Sequence, residues 1–256
     1  MREKLKNFLR AWPSGGIRTA LTLRKQGISS ALAHKYTQSR WIESVGRGAY
    51  KLAGESPDWR GALYGLQDEC SSRFHAGGLT SMEQLGYAHY LAESRPLFLY
   101  GPPKSKLPAW FTTSKFVERL IFTSTKLFRD APAESLQMLS AGTFSVTIST
   151  LERAALELLY HVPQKVGFSE AQEIVDGLGT LRPALLQTLL EQSGSVKINR
   201  LFLYFAREAG HRWYAELDQK RFNLGTGNRE VVKGGVLDKE FLLTLTKPSY
   251  PAEIPF

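Results

Sequence analysis

Residues 27–51 run Gly27-Ile28-Ser29-Ser30-Ala31-Leu32-Ala33-His34-Lys35-Tyr36-Thr37-Gln38-Ser39-Arg40-Trp41-Ile42-Glu43-Ser44-Val45-Gly46-Arg47-Gly48-Ala49-Tyr50-Lys51, and their reading decides the fold. Ser29 or Ser30 can cap a helix, because a serine hydroxyl accepts a backbone N–H that the first helical turn leaves unbonded. In that helix Leu32 and Tyr36 lie four residues apart and face inward, which leaves Ser30, Ala31, His34, Lys35 and Gln38 on the other side. After the helix the period changes to two. The segments 41–45 and 49–52 read as strands around Gly46-Arg47-Gly48, a hairpin with a basic tip.

Upstream, Leu5, Phe8, Leu9 and Trp12 form one stripe of a short helix, and Pro13-Ser14-Gly15-Gly16 interrupts the chain. Thr19 can cap a second helix running through Leu23 to Gln26, and Gly27 can supply the left-handed turn that follows. Helix, helix, Gly turn, helix and Gly-Arg-Gly hairpin is the order of a winged helix-turn-helix. Such a module places its third helix in the DNA major groove and its basic hairpin against the flanking backbone. The expected DNA-binding residues are therefore Arg18, Thr19, Ser29, Ser30, His34, Lys35, Gln38, Arg40, Arg47 and Lys51. His34 and Gln38 are the expected base contacts, and the cations are expected on phosphates. A winged helix used only for protein contacts is the alternative.

The charge pattern favours a polyanion. The chain carries a net +9, and residues 1–52 hold eleven basic residues against two acids. That segment alone therefore accounts for the whole imbalance, because the other 204 residues hold 22 of each sign. A membrane surface would need a basic helix with an apolar face free to insert, and these apolar residues are needed for the core of the module. Cys70 is a lone cysteine, so no internal disulfide and no cysteine-based zinc site is expected. No apolar run is long enough to span a bilayer, and the first nine residues lack the apolar core of a secretory signal. The expected location is the cytoplasm.

A joint at Ser56-Pro57-Asp58 divides the chain into an expected winged helix over 1–55 and an α+β domain over 56–256 with a helical C-terminal half. Helices are expected over 59–71, 80–91, 151–160, 169–178, 180–192 and 196–208. Strands are expected over 96–101, 107–111, 143–148 and 242–245, with 116–128 leaning the same way. Cys70 is expected in the core. Chemistry is scarce. The chain has no phosphate-binding GxxxxGK[ST], no GxSxG and no HExxH, and its five histidines (34, 75, 89, 161 and 211) are scattered singly. No pair of carboxylates one residue apart lies on an expected strand, as metal-dependent nucleotide transfer would require. Neither catalytic residue, metal nor cofactor is expected; a DNA-targeted nuclease or nucleotide-transferring enzyme is the competing reading, and a ligand-sensing repressor a third. Gly225-Thr226-Gly227-Asn228-Arg229 reads as a Gly-rich turn ahead of a phosphate cradle. Lys197, Arg200 and Arg207 fall on one face of a helix, with Arg212 following, and form a possible second basic face for a nucleic acid or an acidic protein.

Several segments are similar to AbiEi antitoxins. They are Arg40-Trp41-Ile42-Glu43-Ser44-Val45-Gly46-Arg47-Gly48-Ala49-Tyr50-Lys51, Asp58-Trp59-x-Gly61-Ala62-Leu63-Tyr64, His75-x-Gly77-Gly78 and Gly86-x-x-His89-Tyr90. The likeness continues in Leu107-Pro108-Ala109-Trp110-Phe111, Ile148-Ser149-Thr150-Leu151-Glu152-Arg153-Ala154, Arg200-Leu201-Phe202-Leu203 and Leu224-Gly225-x-Gly227. Leu151 stands where the family pattern has Pro. Asn228 stands where it has Lys, which removes a cation from any phosphate role of that loop. The resemblance implies a winged helix that binds inverted repeats in the promoter of its own operon and represses it. It also implies a C-terminal domain that counteracts AbiEii, a nucleotidyltransferase toxin, in a type IV system of abortive phage resistance without needing a stable complex.

Overall fold

A computed structural model describes residues 2–70, 74–87, 96–113, 116 and 118–245, the side chains of 2–4 and 70 excepted. The expected core position of Cys70, the single histidine His89 with its motif, and the end of the helix expected to reach residue 91 lie outside them. The chain divides into two compact units, Met1–Lys126 with Leu136–Thr150, and Leu127–Ser135 with Leu151–Phe256.

The first unit begins with α1 (Arg2–Arg10), β1 (Arg18–Thr19), α2 (Ala20–Lys25), α3 (Ser30–Gln38), β2 (Ile42–Gly46) and β3 (Ala49–Leu52), with the strands ordered β1-β3-β2. This is the winged-helix order. Phe8, Trp12, Leu23, Ile28, Ala33, Tyr36 and Ile42 form its core, and Phe8 packs edge-on against Trp12 at 5.3 Å between ring centroids. Each fully buried large apolar side chain stabilises the fold by roughly 1.5–3 kcal/mol. Three locally expected caps form. The Thr19 and Ser29 hydroxyls accept from the N–H groups of Thr22 and Leu32, and the Asp58 carboxylate accepts from those of Arg60 and Gly61.

The unit continues with α4 (Trp59–Cys70), β4 (His75–Ala76), α5 (Gly78–Gln84), β5 (Leu97–Gly101), α6 (Ala109–Thr112), β6 (Leu120–Ser124), β7 (Leu136–Ala141) and β8 (Phe144–Ser149). These strands make one mixed sheet ordered β6-β5-β4-β8-β7. Where β4 meets β8 the register holds a single residue pair, Ala76 with Ile148. The buried amide of Gln67 reinforces that seam. It donates to the Phe74 and Thr147 carbonyls and accepts the Thr147 N–H, so α4 is fastened to the sheet by hydrogen bonds as well as packing.

The first 55 residues share a core with the rest of this unit. Ile17 and Ala49 lie in one apolar cluster with Leu63, Leu66, Leu99, Trp110 and Ile148. Two glycines one turn apart on α4 permit the approach. A Cβ on Gly61 would lie 1.9 Å from the Gly15 carbonyl oxygen, and one on Gly65 would lie 2.8 Å from that of Ile17. The segment 107–111, expected as a bent strand, instead carries α6. Pro108 sits at the N-cap with φ −65°, and Trp110 and Phe111 are both buried one turn later.

The second unit holds α7 (Leu151–Tyr160), α8 (Phe168–Asp176), α9 (Pro183–Gln192) and α10 (Val196–Glu208), with a small sheet of β9 (Arg229–Glu230), β10 (Val236–Asp238) and β11 (Leu243–Leu245). Every residue of α10 from Ile198 to Ala206 is buried, which makes it the axis of the unit. α9 starts at Pro183, whose missing N–H is no loss in a first turn. Near the entry to that helix the buried carboxylate of Glu152 takes two hydrogen bonds from the Arg182 guanidinium and a third from the Arg182 backbone N–H. The result is a mixed α+β protein with a helical C-terminal half, as expected.

Candidate nucleic-acid interface

The turn between α2 and α3 sets the presentation of the third helix. The N–H of Gly27 reaches the Arg24 carbonyl and that of Ile28 reaches the Leu23 carbonyl, with Gly27 left-handed at φ 76°. This closes α2 with a left-handed cap that favours glycine. The end of α3 repeats the same pattern. Arg40 N–H reaches the Thr37 carbonyl and Trp41 N–H the Tyr36 carbonyl, but here the left-handed position, φ 54°, is held by Arg40. A β-carbon in that conformation costs roughly 1–2 kcal/mol. The chain thus tolerates local strain to hold a guanidinium at the end of the helix.

Between these turns, α3 buries Ala33 and Tyr36 and exposes Ser30, Ala31, His34, Lys35 and Gln38. The Gln38 side chain lies 3.2 Å from His34 Nε2, one helical turn away, so each restrains the other. Ser29, Arg40 and Arg47 are exposed too. Lys35, Arg40 and Arg47 form no ion pair among the described residues. Seven of the ten residues expected to meet DNA therefore share an exposed position on or beside this helix and its hairpin.

The other three are engaged by the protein itself. Arg18 is buried, donates to the Ala11 carbonyl and lies 5.9 Å from the Trp12 ring centroid. Thr19 is 1% exposed and spent on capping α2. Lys51 is ion-paired with Glu43 at 2.9 Å and donates to the Glu55 carbonyl. The Lys51 ammonium bonded to the Glu43 carboxylate, with the Gly54 N–H donating to the same group, holds the Glu43 carboxyl below its ordinary pKa.

Trp41 went unnoticed in the sequence. It is 48% exposed at the end of α3, and a strand-like alternation that assigns every large apolar residue to a core cannot flag it. Arg24 and Lys25, on the exposed last turn of α2, were visible only as charge. The hairpin is not a free arm. Gly46 passes so close to α6 that a Cβ there would lie 2.8 Å from that of Trp110, and the Gly48 carbonyl accepts the Ala20 N–H. Only the Arg47 side chain projects from the tip.

The basic face expected along α10 does not form. Arg200 points inward, 2% exposed, because the helix is covered almost all round. Lys197 donates to the Val162 carbonyl at 2.8 Å, and burial lowers its pKa. Arg207 meets Asp238, Glu208 and Glu240 and lies against the Tyr204 and Phe241 rings. Arg212 alone of the four is exposed. Among the described residues no three His, Cys, Asp or Glu side chains gather as a metal site, and no helix is long and apolar enough to cross a membrane.

Two family profiles together match residues 1–246 of the chain. Residues 1–93 match "Transcriptional regulator, AbiEi antitoxin N-terminal domain", and residues 94–246 match "Transcriptional regulator, AbiEi antitoxin, Type IV TA system". Among solved structures, the RV2827C protein from Mycobacterium tuberculosis is similar over 93% of this chain and 88% of its own, with a TM-score of 0.60 and 14% identity, a likeness of fold. No curated protein matches the chain.

Proposed function

Because the chain belongs to the AbiEi family of transcriptional regulators and type IV antitoxins, we propose that it represses its own operon by laying α3 in the major groove of promoter inverted repeats. His34 and Gln38 read base edges there, an amide and an imidazole being suited to purine edges. Lys35, Arg40 and Arg47 neutralise phosphates, which supplies affinity without sequence information. The observation that carries this reading is the exposed α3 face, polar and basic, with no acid set against its cations among the described residues. Two copies of the chain would occupy an inverted repeat. The second unit counteracts a nucleotidyltransferase toxin, with no stable complex required.

The test uses the whole chain, since removing residues 1–52 would strip Ile17 and Ala49 from the core of the first unit. A mobility-shift titration against the upstream region of its own gene, with salt varied, should show specific binding. Lys35→Ala or Arg47→Ala should each make the logarithmic salt slope shallower by roughly 0.9 for every phosphate no longer neutralised. Equal binding to a scrambled duplex would refute sequence reading. A His34→Ala, Lys35→Ala, Gln38→Ala variant should lose the operator and still rescue cells from the toxin. Rescue abolished in that folded variant would overturn the division of labour.

A further inference from the structure

We propose that the loop from Leu224 to Arg229 in the second unit is a binding site for a phosphate group, with the buried Arg200 guanidinium as its floor. Arg200 spends its donors on backbone carbonyls alone. Nε donates to Leu224 at 2.5 Å, Nη1 to Gly227 at 2.7 Å and to Leu242 at 3.3 Å, and Nη2 to Gly225 at 3.1 Å. The half-buried arginines of the unit meet carboxylates, Arg153 with Glu157 and Arg207 with Asp238, and the exposed Arg182 meets Glu152. Arg200 has no ion pair among the described residues. A buried charge is ordinarily matched by an opposite one. Here the neighbouring charge is Arg229, another cation; burial and that repulsion both lower the Arg200 pKa.

The carbonyls that face Arg200 fix where the neighbouring N–H groups point. In a planar trans peptide the N–H of the next residue is opposed to the carbonyl. With the Gly225 and Gly227 carbonyls turned down to the guanidinium, the N–H groups of Thr226 and Asn228 are turned away from it. Neither has a partner among the described residues, and both residues are exposed. Gly225 and Gly227 are left-handed at φ 57° and 76°, the alternation that gathers peptide donors into an anion-binding concavity. A Cβ on Gly227 would meet nothing within 4 Å, so the approach is open. Arg229 is anchored beside it, its N–H on the Leu242 carbonyl at 2.8 Å and its side chain exposed. Thr226 adds a hydroxyl. The exposed donors, above a cation with no carboxylate partner, suit a phosphate group with its several acceptor oxygens. The lysine that the family pattern has at 228 is absent, and the charge comes from beneath.

The test is a titration of the 15N-labelled full chain with inorganic phosphate, with ionic strength held constant by chloride. The Thr226 and Asn228 amide resonances should shift saturably, and Arg229→Ala should weaken that response about tenfold, with Arg229→Lys recovering part of it. Uridine monophosphate and a short single-stranded RNA distinguish the source. Tighter binding of the nucleotide assigns a terminal phosphate, and tighter binding of the RNA assigns a backbone phosphodiester. No saturable shift at these amides, or an undiminished one in Arg229→Ala, overturns the proposal. A Lys35→Ala, Arg47→Ala variant should respond like the parent chain, which separates this site from operator binding.

Discussion

Replacing Arg40 by glycine separates what that residue does for the fold from its proposed contact with DNA. Its left-handed backbone, φ 54°, costs roughly 1–2 kcal/mol with a β-carbon present and nothing comparable with glycine. Glycine also loses more freedom on folding, by roughly 0.5–1 kcal/mol, so the net gain is about 0.5–1 kcal/mol. In a unit of this size that is about 2 °C in the thermal midpoint. The same substitution deletes one exposed guanidinium. Leaving one phosphate unneutralised takes about 0.9 from the salt slope, which at about 0.15 M salt corresponds to roughly fivefold weaker binding. The assays are differential scanning calorimetry and salt-varied mobility shifts on one preparation. Arg40→Ala is the control, removing the same charge and keeping the strain. A less stable Arg40→Gly protein would refute the strain argument, and an unchanged salt slope would take Arg40 out of the interface.

Gly27→Ala, at the matching turn of α2, should lower stability by about 1–2 kcal/mol in a urea melt, since a β-carbon at φ 76° is strained. Gly61→Ala should destabilise by at least about 2 kcal/mol, because its methyl group would collide with the Gly15 backbone; chemical denaturation monitored by tryptophan fluorescence checks this. His161 is held neutral in the fold, its pKa lowered from 6.5 to about 4 chiefly by burial. Because the unfolded chain binds the extra proton first, the stabilisation is complete above pH 6.5 and is lost as the pH falls toward 4. The decline should be up to about 3 kcal/mol, and an NMR titration that protonated this ring near its ordinary pKa would contradict it.

What the sequence revealed is what local chemistry determines. Ser29, Thr19 and Asp58 act as caps because a side-chain oxygen next to free N–H groups needs no distant partner. The helix 196–208 was legible from its period, and so was the shared face of Arg200 and Arg207. Which way that face points was not, because a helix buried on all sides has no polar side to orient it. The two-residue strands β1 and β4 carry no period at all. β7 stayed hidden because it lies at the sheet edge and leaves Met138 exposed, which breaks the expected alternation. At the interface, the exposed residues of α3 followed from counting fours. Burial of Arg18 against Trp12, and of Thr19 beneath α2, depends on tertiary contacts that spacing does not record.

The seating of Gly46 on Trp110 has a genetic consequence. In the proposed repressor, the placement of α3 and its hairpin would depend on a surface away from the proposed DNA contacts. Selection for derepressed promoters should therefore recover alleles at Trp110, Gly61 and Gly65 alongside those in α3. Such alleles would be temperature-sensitive and correctable by second-site changes in the body, whereas losses of His34 or Gln38 would be corrected only by changes in the DNA.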